Sequence, residues 1–512
     1  MSSTRRAGHR RLLAIPLAAG LAVATLSAPT IAGAATGPSV LTVGQFRGHA
    51  GAYPTIQAAV DAARPGDYVL LAPGDYHETG SPDAGVLVRT SGIHLRGLDR
   101  NRVIVDGTRP GAPACSAKPA DQGPDGRNGI EVHGVSGVTV ENLTVCNFLA
   151  EPGGEGGNEV FWNGGDGSGR IGMHSYAGDY LTASTTFAGG PDGPHAMYGI
   201  FAVNADGPGR ISRSYASNMA DSAFYIGACR DCHTVLSRVH GQHSSLGYSG
   251  TNAGGHLLIE HSEFDHNRVG IVPNSLNNDD APPPQDGSCP EHPSRSCSTI
   301  RFNYVHDNNN PNTPAVGLAG ASPVGIGIVV AGGRMNTVTH NLVVRNGGWG
   351  IAVNDYPDAE IPPPVAHCEG GVLLPDGTCY FPAEGNRVVG NVLADNGFFG
   401  NPTNADLVAG TTATLNSSCF QRNRSIGGPL LSYPANLEQS MPTCGVPNAG
   451  TDVGLLFTEY VCASGGDCPA GSHYPASTGE RLIPIPRQPS MPAPCLGIPT
   501  TGSPRLIAWC RH

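Results

Sequence analysis

Between residues 221 and 280 the chain concentrates side chains able to move protons or hold cations: Asp221, Tyr225, His240, His243, Asp265, His266, Arg268, Asp279 and Asp280. Two carboxylates about 5–10 Å apart can serve as an acid with a nucleophile or base, the arrangement that breaks glycosidic bonds, and a nearby His or Arg tunes them. Asp221, His243, Asp265, Arg268, Asp279 and Asp280 are therefore the expected catalytic set. Tyr225, Tyr248, His240 and Trp349, with Phe201, are the side chains expected to contact a substrate. Asp279 and Asp280 have a second use as oxygen ligands for calcium (Ca2+), which would also offset a negative field. The competing structural account is that Asp before a turn and His on a repeat surface are ordinary stabilising residues.

What must position these residues is a repeat. An apolar residue, Asn or Ser three later, an apolar residue two further on and Asn three after that recur in Ile259/Ser262/Phe264/Asn267, Ile300/Asn303/Val305/Asn308, Val338/Asn341/Val343/Asn346, Val388/Asn391/Leu393/Asn396 and Leu415/Ser418/Phe420/Asn423. Weaker copies surround Ser214 and Ser237. A second strand signal precedes most copies, such as Gly270-Ile271, Gly325-Ile326 or Gly350-Ile351-Ala352-Val353. Units of roughly 23 to 27 residues built of short β-branched strands, without a 3.6-residue period, predict an all-β solenoid. A leucine-rich repeat would want Leu at the apolar sites and a helical return. The recurrent Asn is expected to tolerate left-handed turns and to bond neighbouring peptide groups, forming ladders along the stack. Asp221 and Arg268 each stand two residues before the Gly-Ile-type pair of their unit, which predicts one edge and a separation of two rungs, about 10 Å. Insertions at residues 276–298, 309–322 and 355–385 enter beside that strand from both sides and are expected to wall a groove over it.

Ahead of the repeat, residues 53–67 (YPTIQAAVDAARPGD) read as a Thr-capped amphipathic helix stopped by Pro-Gly, followed by the strand Tyr68-Val69-Leu70-Leu71 and then Gly74-x-Tyr76-x-Glu78. A helix laid across an open solenoid end covers its strand edges and core. With this cap in view the chain resembles the right-handed parallel β-helix proteins of the pectate lyase-like superfamily over residues 40–425. The resemblance implies a right-handed parallel β-helix (solenoid) with an N-terminal capping helix. It also implies a groove along one stacked sheet and a polysaccharide as partner, acted on by a polysaccharide lyase or glycoside hydrolase. Gly74-x-Tyr76-x-Glu78 is similar to an early pectinesterase motif, but the later Gln-Asp and Asp-Phe motifs are missing. Asp265-His266-Asn267-Arg268 is similar to the Asp-Pro-His-Asp/Glu stretch of uronan epimerases, from which Asn267 and Arg268 depart. The Asn-Thr-Asp and Gly-His-Gly signatures of polygalacturonases are absent. Lyases of the superfamily use Lys or Arg as base, and here Arg268 would have to serve.

Composition bounds the partners. The 512 residues contain 72 Gly and 44 Pro, no collagen period, and too little charge for a coiled coil, with 14% charged residues. The net charge is −11 and Lys118 is the only lysine, so nucleic acid is an unsuitable partner and a neutral or weakly acidic glycan is preferred. Arg5, Arg6, Arg10 and Arg11, an apolar run from Leu12 to Leu26 and Ala32-Gly33-Ala34 read as a secretory signal over residues 1–34. No later segment is apolar enough to span a membrane. The 14 Cys are then expected to form disulfides: Cys115/Cys146, Cys229/Cys232, Cys289/Cys297, Cys368/Cys379, Cys419/Cys444, Cys462/Cys468 and Cys495/Cys510. Residues 426–512 lose the repeat and read as a disulfide-rich cap or tail with little regular structure. The expectation is a secreted, monomeric protein that cleaves or modifies a glycan. The rival is a non-catalytic glycan-binding or cell-surface solenoid, with the aromatic side chains as stacking platforms.

Overall fold

In the third quarter of the chain one turn of the coil comprises the strands Thr337–Thr339, Leu342–Val344 and Trp349–Asn354. Val338, Val343, Ile351 and Val353 point inward and are fully buried. Each strand pairs in parallel with its counterpart in the turns before and after: Ile300 with Val338 and then Val388, Val305 with Val343 and then Leu393, Ile328 with Ile351 and then Leu407. The result is three parallel sheets of 12, 11 and 11 strands, here called the first, second and third sheets. The first runs from Val40–Val43 to Cys419–Gln421, the second from Gly74–Tyr76 to Arg424–Ser425 and the third from Ala84–Val88 to Ser432–Tyr433. Such connections wind right-handed, and the chain is a right-handed parallel β-helix around one apolar core. This computed structural model describes residues 37–510 apart from 153, 155, 279–296, 360–366, 413–417, 449 and 500–503. The expected signal at 1–34, Asp279, Asp280 and Cys289 lie outside the described residues.

The corners are held by asparagine ladders. The backbone N–H and side-chain amide of Asn303 donate to Asn341 Oδ1 at 3.1 and 3.0 Å, and those of Asn341 to Asn391 Oδ1, both at 3.0 Å. Asn267, Asn308, Asn346 and Asn396 repeat the pattern at the next corner. The left-handed residue is not the Asn, as expected from sequence, but the one before it: Phe302 and His340 at one corner, Asp307, Arg345 and Asp395 at the next. Division of labour explains this, since the preceding residue makes the bend and leaves the amide in line with its stacked neighbours. Two copies of the sequence repeat are also out of phase. Phe420 stands in register with Val388, so that Asn423, not Ser418, continues the ladder of Asn391. Ile259 pairs with Leu236, so that Val239, not Ser237, precedes Ser262. The corner residues Asn336, Asn341 and Asn346 recur every five residues within a turn, which makes the frame ambiguous to read.

The helix Ile56–Ala62 caps the first turn, with Thr55 Oγ1 accepting from the Ala58 N–H at 3.1 Å. Glu78, from the Gly-x-Tyr-x-Glu stretch, accepts from the N–H groups of Ile56 and Gln57 at 2.7 and 3.1 Å, while the Tyr76 hydroxyl donates to the Ala72 carbonyl at 2.6 Å. This motif therefore fastens the cap. Replacing Glu78 with Ala leaves those helix donors unpaired and is expected to cost about 1–3 kcal/mol, to be measured as a shift in the urea unfolding midpoint.

Six of the expected disulfides are formed: Cys115–Cys146, Cys229–Cys232, Cys368–Cys379, Cys419–Cys444, Cys462–Cys468 and Cys495–Cys510. After the last turn, the helix Gly454–Ala463 packs on the outer face of the third sheet, against Trp349, Ala352 and Val408. From about residue 474 an extended strap then returns along the outside of the coil. Glu480 meets His195 (2.7 Å), the Ile483 and Gln488 carbonyls accept from Asn218 and Asn101 (2.8 and 2.9 Å), and the Met491 N–H donates to Asn142 (2.7 Å). Arg96 donates to the Pro494 and Leu496 carbonyls, and Trp509 ends against Leu70 and Ala72 of the first turns.

Candidate functional site

The third sheet is apolar on both faces, as parallel strands covered on each side are. Ile328 and Val330 point into the coil, whereas Ile326, Val329 and Ala331 point outward. Over this outer face lies a cleft of about 720 Å³. One wall is Leu318, Ala319, Ser322 and Pro323 from the insertion around residues 309–322, and Leu276, Asn278, Tyr356 and Pro357 contribute from the starts of the other two. The groove expected from the insertions is thus present. Its remaining wall, Phe457, Tyr460 and Val461, comes from the helix Gly454–Ala463, which carries no repeat signal.

Asp221 sits at the edge of the third sheet, just before the strand Ser222–Gly227, and lines this cleft. The Tyr198 hydroxyl donates to its Oδ2 at 2.9 Å and the Ser222 hydroxyl to its Oδ1 at 2.6 Å. Burial pushes its carboxyl up to about 6, and those two hydrogen bonds only partly counter the shift. Tyr198 stacks on Phe201 at 4.2 Å, and Tyr225 stands edge-on to Phe201 at 4.8 Å, so the acid is flanked by rings. Removing one of the donors to the ionised form raises the pKa further. Tyr198→Phe is expected to move Asp221 above 6, read by NMR titration of its carboxyl carbon.

The other expected residues separate. Arg268 does occupy the same edge two rungs from Asp221, as the chain of contacts Leu246 N–H to Asp221 carbonyl and Arg268 N–H to Ser244 carbonyl indicates. Its guanidinium, however, donates to the Ser322 carbonyl at 3.0 Å and lies 3.5 Å from that of Pro311, fixing the cleft wall. Tyr248 is in register with Phe224 and Ile271, is wholly buried in the coil and donates to the Ile226 carbonyl at 3.0 Å. Trp349 faces outward but is covered by Tyr460, stacked at 4.6 Å, so neither Tyr248 nor Trp349 offers a ring face to solvent. Tyr225 lines the cleft at 5% exposure.

His240, His243 and Asp265 lie on or beside the outer face of the second sheet instead. His240 Nε2 donates to Asp265 Oδ1 at 2.5 Å and His266 Nδ1 contacts Oδ2. Burial acts to raise Asp265, but these two histidines outweigh it and hold the carboxyl below its ordinary range. His243 stacks on His266 at 5.2 Å, and burial pushes it down to about 4, so its ring is neutral at pH 7. Glu263 and His306, 3.1 Å apart on the same face, were not singled out from the sequence; their outward positions on either side of Phe264 and Val305 were the available signal.

The second carboxylate of the cleft is Asp355. It accepts from the Tyr380 hydroxyl, the Ala383 N–H and both the N–H and hydroxyl of Thr412, at 2.6 to 3.0 Å, and so ties down the insertion at 355–385. It follows a strand four places along from that of Asp221, at least about 19 Å away at 4.7–4.9 Å per strand. A pair that cleaves a glycosidic bond stands about 5–9.5 Å apart, so Asp221 and Asp355 do not form one. Among the described residues lining the cleft there is no Arg, Lys or His.

Neither a protein-family model nor a curated protein sequence matches this chain. Solved structures similar in fold include the A-module of the mannuronan C-5 epimerase AlgE4 of Azotobacter vinelandii, 13% identical, covering 73% of this chain and 92% of that one at a TM-score of 0.41. An alginate lyase from a Paenibacillus species is 13% identical and covers 77% and 97% at a TM-score of 0.35. A variant tailspike protein of an E. coli bacteriophage, in complex with a pentasaccharide, is 10% identical and covers 73% and 60% at 0.40. The similarity is in the path of the coiled chain.

Proposed function

We propose that the protein acts outside the cytosol on a neutral polysaccharide, a segment of which lies in the cleft over the third sheet, with Asp221 donating the proton to the departing glycosidic oxygen. The observation that carries this reading is a carboxyl pushed up to about 6, held by two hydroxyls in an aromatic-flanked cleft. Proton donation to the leaving oxygen is common to hydrolysis and elimination. Elimination also needs a uronate carboxylate to acidify the sugar C–H, and a cleft whose described lining holds two carboxylates and no Arg, Lys or His disfavours that substrate. Hydrolysis, in which water adds to the anomeric carbon and gives its proton to solvent, is therefore preferred. The disulfides suit an oxidising compartment.

Binding without turnover is the second reading, and the lone position of Asp221 favours it, since Asp355 is too distant to act as its partner. Reducing-end release and absorbance of unsaturated products over a panel of neutral and acidic glycans separate the two. Release from a neutral glycan that falls with Asp221→Asn supports hydrolysis. Glycan binding that Phe457→Ala weakens, with no product from any bound sugar, supports the second reading. Product formation unaffected by Asp221→Asn removes this site.

A further inference from the structure

We propose that His240, Glu263 and Asp265 form a binding site for a divalent first-row cation, zinc or manganese, on the outer face of the second sheet. This site lies on a different face from the cleft and does not rest on the function proposed for it. The pleat sends Gly241 and Phe264 inward and turns His240, Glu263 and Asp265 outward. Parallel register sets His240 beside Glu263, with Asp265 two residues further along the same strand. One ligand atom from each of the three lies within 4.8 Å of those of the other two. His240 Nε2 and Asp265 Oδ1 are 2.5 Å apart. A cation about 2.0–2.2 Å from each donor needs them roughly 3 Å apart, so the imidazole has only a few tenths of an ångström to give.

The surroundings are those a cation site uses. Each carboxylate is backed by a second histidine: His266 Nδ1 contacts the other oxygen of Asp265, and His306 Nε2 lies 3.1 Å from Glu263 Oε1. His306 is held in turn through its Nδ1, 2.7 Å from Asp307. Outer partners of this kind orient ligating groups and raise affinity. A hollow of about 690 Å³ opens beside His240 and Glu263 and gives room for water at the remaining positions. One imidazole with two carboxylates suits zinc or manganese, whereas Ca2+ takes oxygen ligands throughout.

The test uses the full-length protein, stripped with EDTA and desalted, and titrated calorimetrically with ZnCl2 and with MnCl2, with thermal unfolding alongside. Saturable binding of one equivalent is expected, with a melting temperature that rises with metal concentration. His240→Ala and Glu263→Gln should each weaken binding at least about tenfold with unchanged far-ultraviolet circular dichroism. Glu263, whose side chain is 45% exposed, is the safer change for folding. His77→Ala, which opens the separate Asp75/His77/Asp106 group, should leave binding intact. Failure of both metals to bind the wild type, or binding that survives His240→Ala and Glu263→Gln, overturns the site.

Discussion

Asp221→Asn is expected to end turnover of a cleaved glycan and, at the same time, to make the protein more stable at pH 7. Loss of a positioned proton donor lowers turnover roughly 100- to 10,000-fold. The stability gain follows from linkage. The folded-state carboxyl is raised from its ordinary 3.8 to about 6 by burial, so the stability its proton contributes is fully present below 3.8 and is lost as the pH rises through 6. At pH 7 the folded protein holds a charge in a poorly solvated place, and a neutral amide of the same shape removes that strain. Both partners, Tyr198 and Ser222, are hydroxyls and can turn to accept from the amide. The gain is expected to be about 1–3 kcal/mol in urea unfolding at pH 7 and to vanish near pH 4. Wild-type turnover should likewise fall as the pH rises through about 6, where the donor loses its proton. A variant that is inactive yet no more stable at pH 7 would show that Asp221 is not held as described.

Trp349→Ala is expected to destabilise the protein by about 3–5 kcal/mol and to weaken glycan binding as a consequence. The indole is fully buried between the third sheet and Tyr460 and Tyr474, with its N–H donating to Thr403 at 3.2 Å. Removing it leaves Tyr460 of the helix Gly454–Ala463 without the ring it stacks on, which loosens Phe457 and Val461 of the cleft wall. Urea unfolding and glycan affinity measured on the same samples check this. An exposed stacking platform would lose affinity at unchanged stability, the result that would restore the sequence-based expectation.

The coil was legible because its physics is local. Alternation placed Val338, Val343 and Ile351 in the core, Asn at fixed spacing marked the corners, and Thr55 with Pro65-Gly66 bounded the cap helix. The three insertions gave away the groove because each adjoins the same kind of strand. What stayed hidden depends on contacts between segments far apart in sequence. Trp349 shares the parity of Ile351 and Val353 and reads as inward by alternation, yet at the start of its strand it stands on the outer face, where a helix about a hundred residues later buries it. Tyr248 could have been placed by register with Phe224 and Ile271. Counting residues gave the right edge and rungs for Asp221 and Arg268, whereas Asp265, grouped with them, lies on another face. Asp265 follows Phe264 out of the second sheet, whereas Asp221 begins a strand of the third.

The returning strap changes how such a molecule comes apart. A stack whose turns touch only their neighbours behaves as a one-dimensional array, free to fray from either end with partly unravelled species along the way. Here Glu480, Ile483, Gln488 and Met491 bridge to residues hundreds of positions earlier, and Trp509 seals the opening turns with the last stretch of chain. The terminal turns are thereby coupled, so that loss of one end releases the belt from the other and unravelling becomes a single cooperative event.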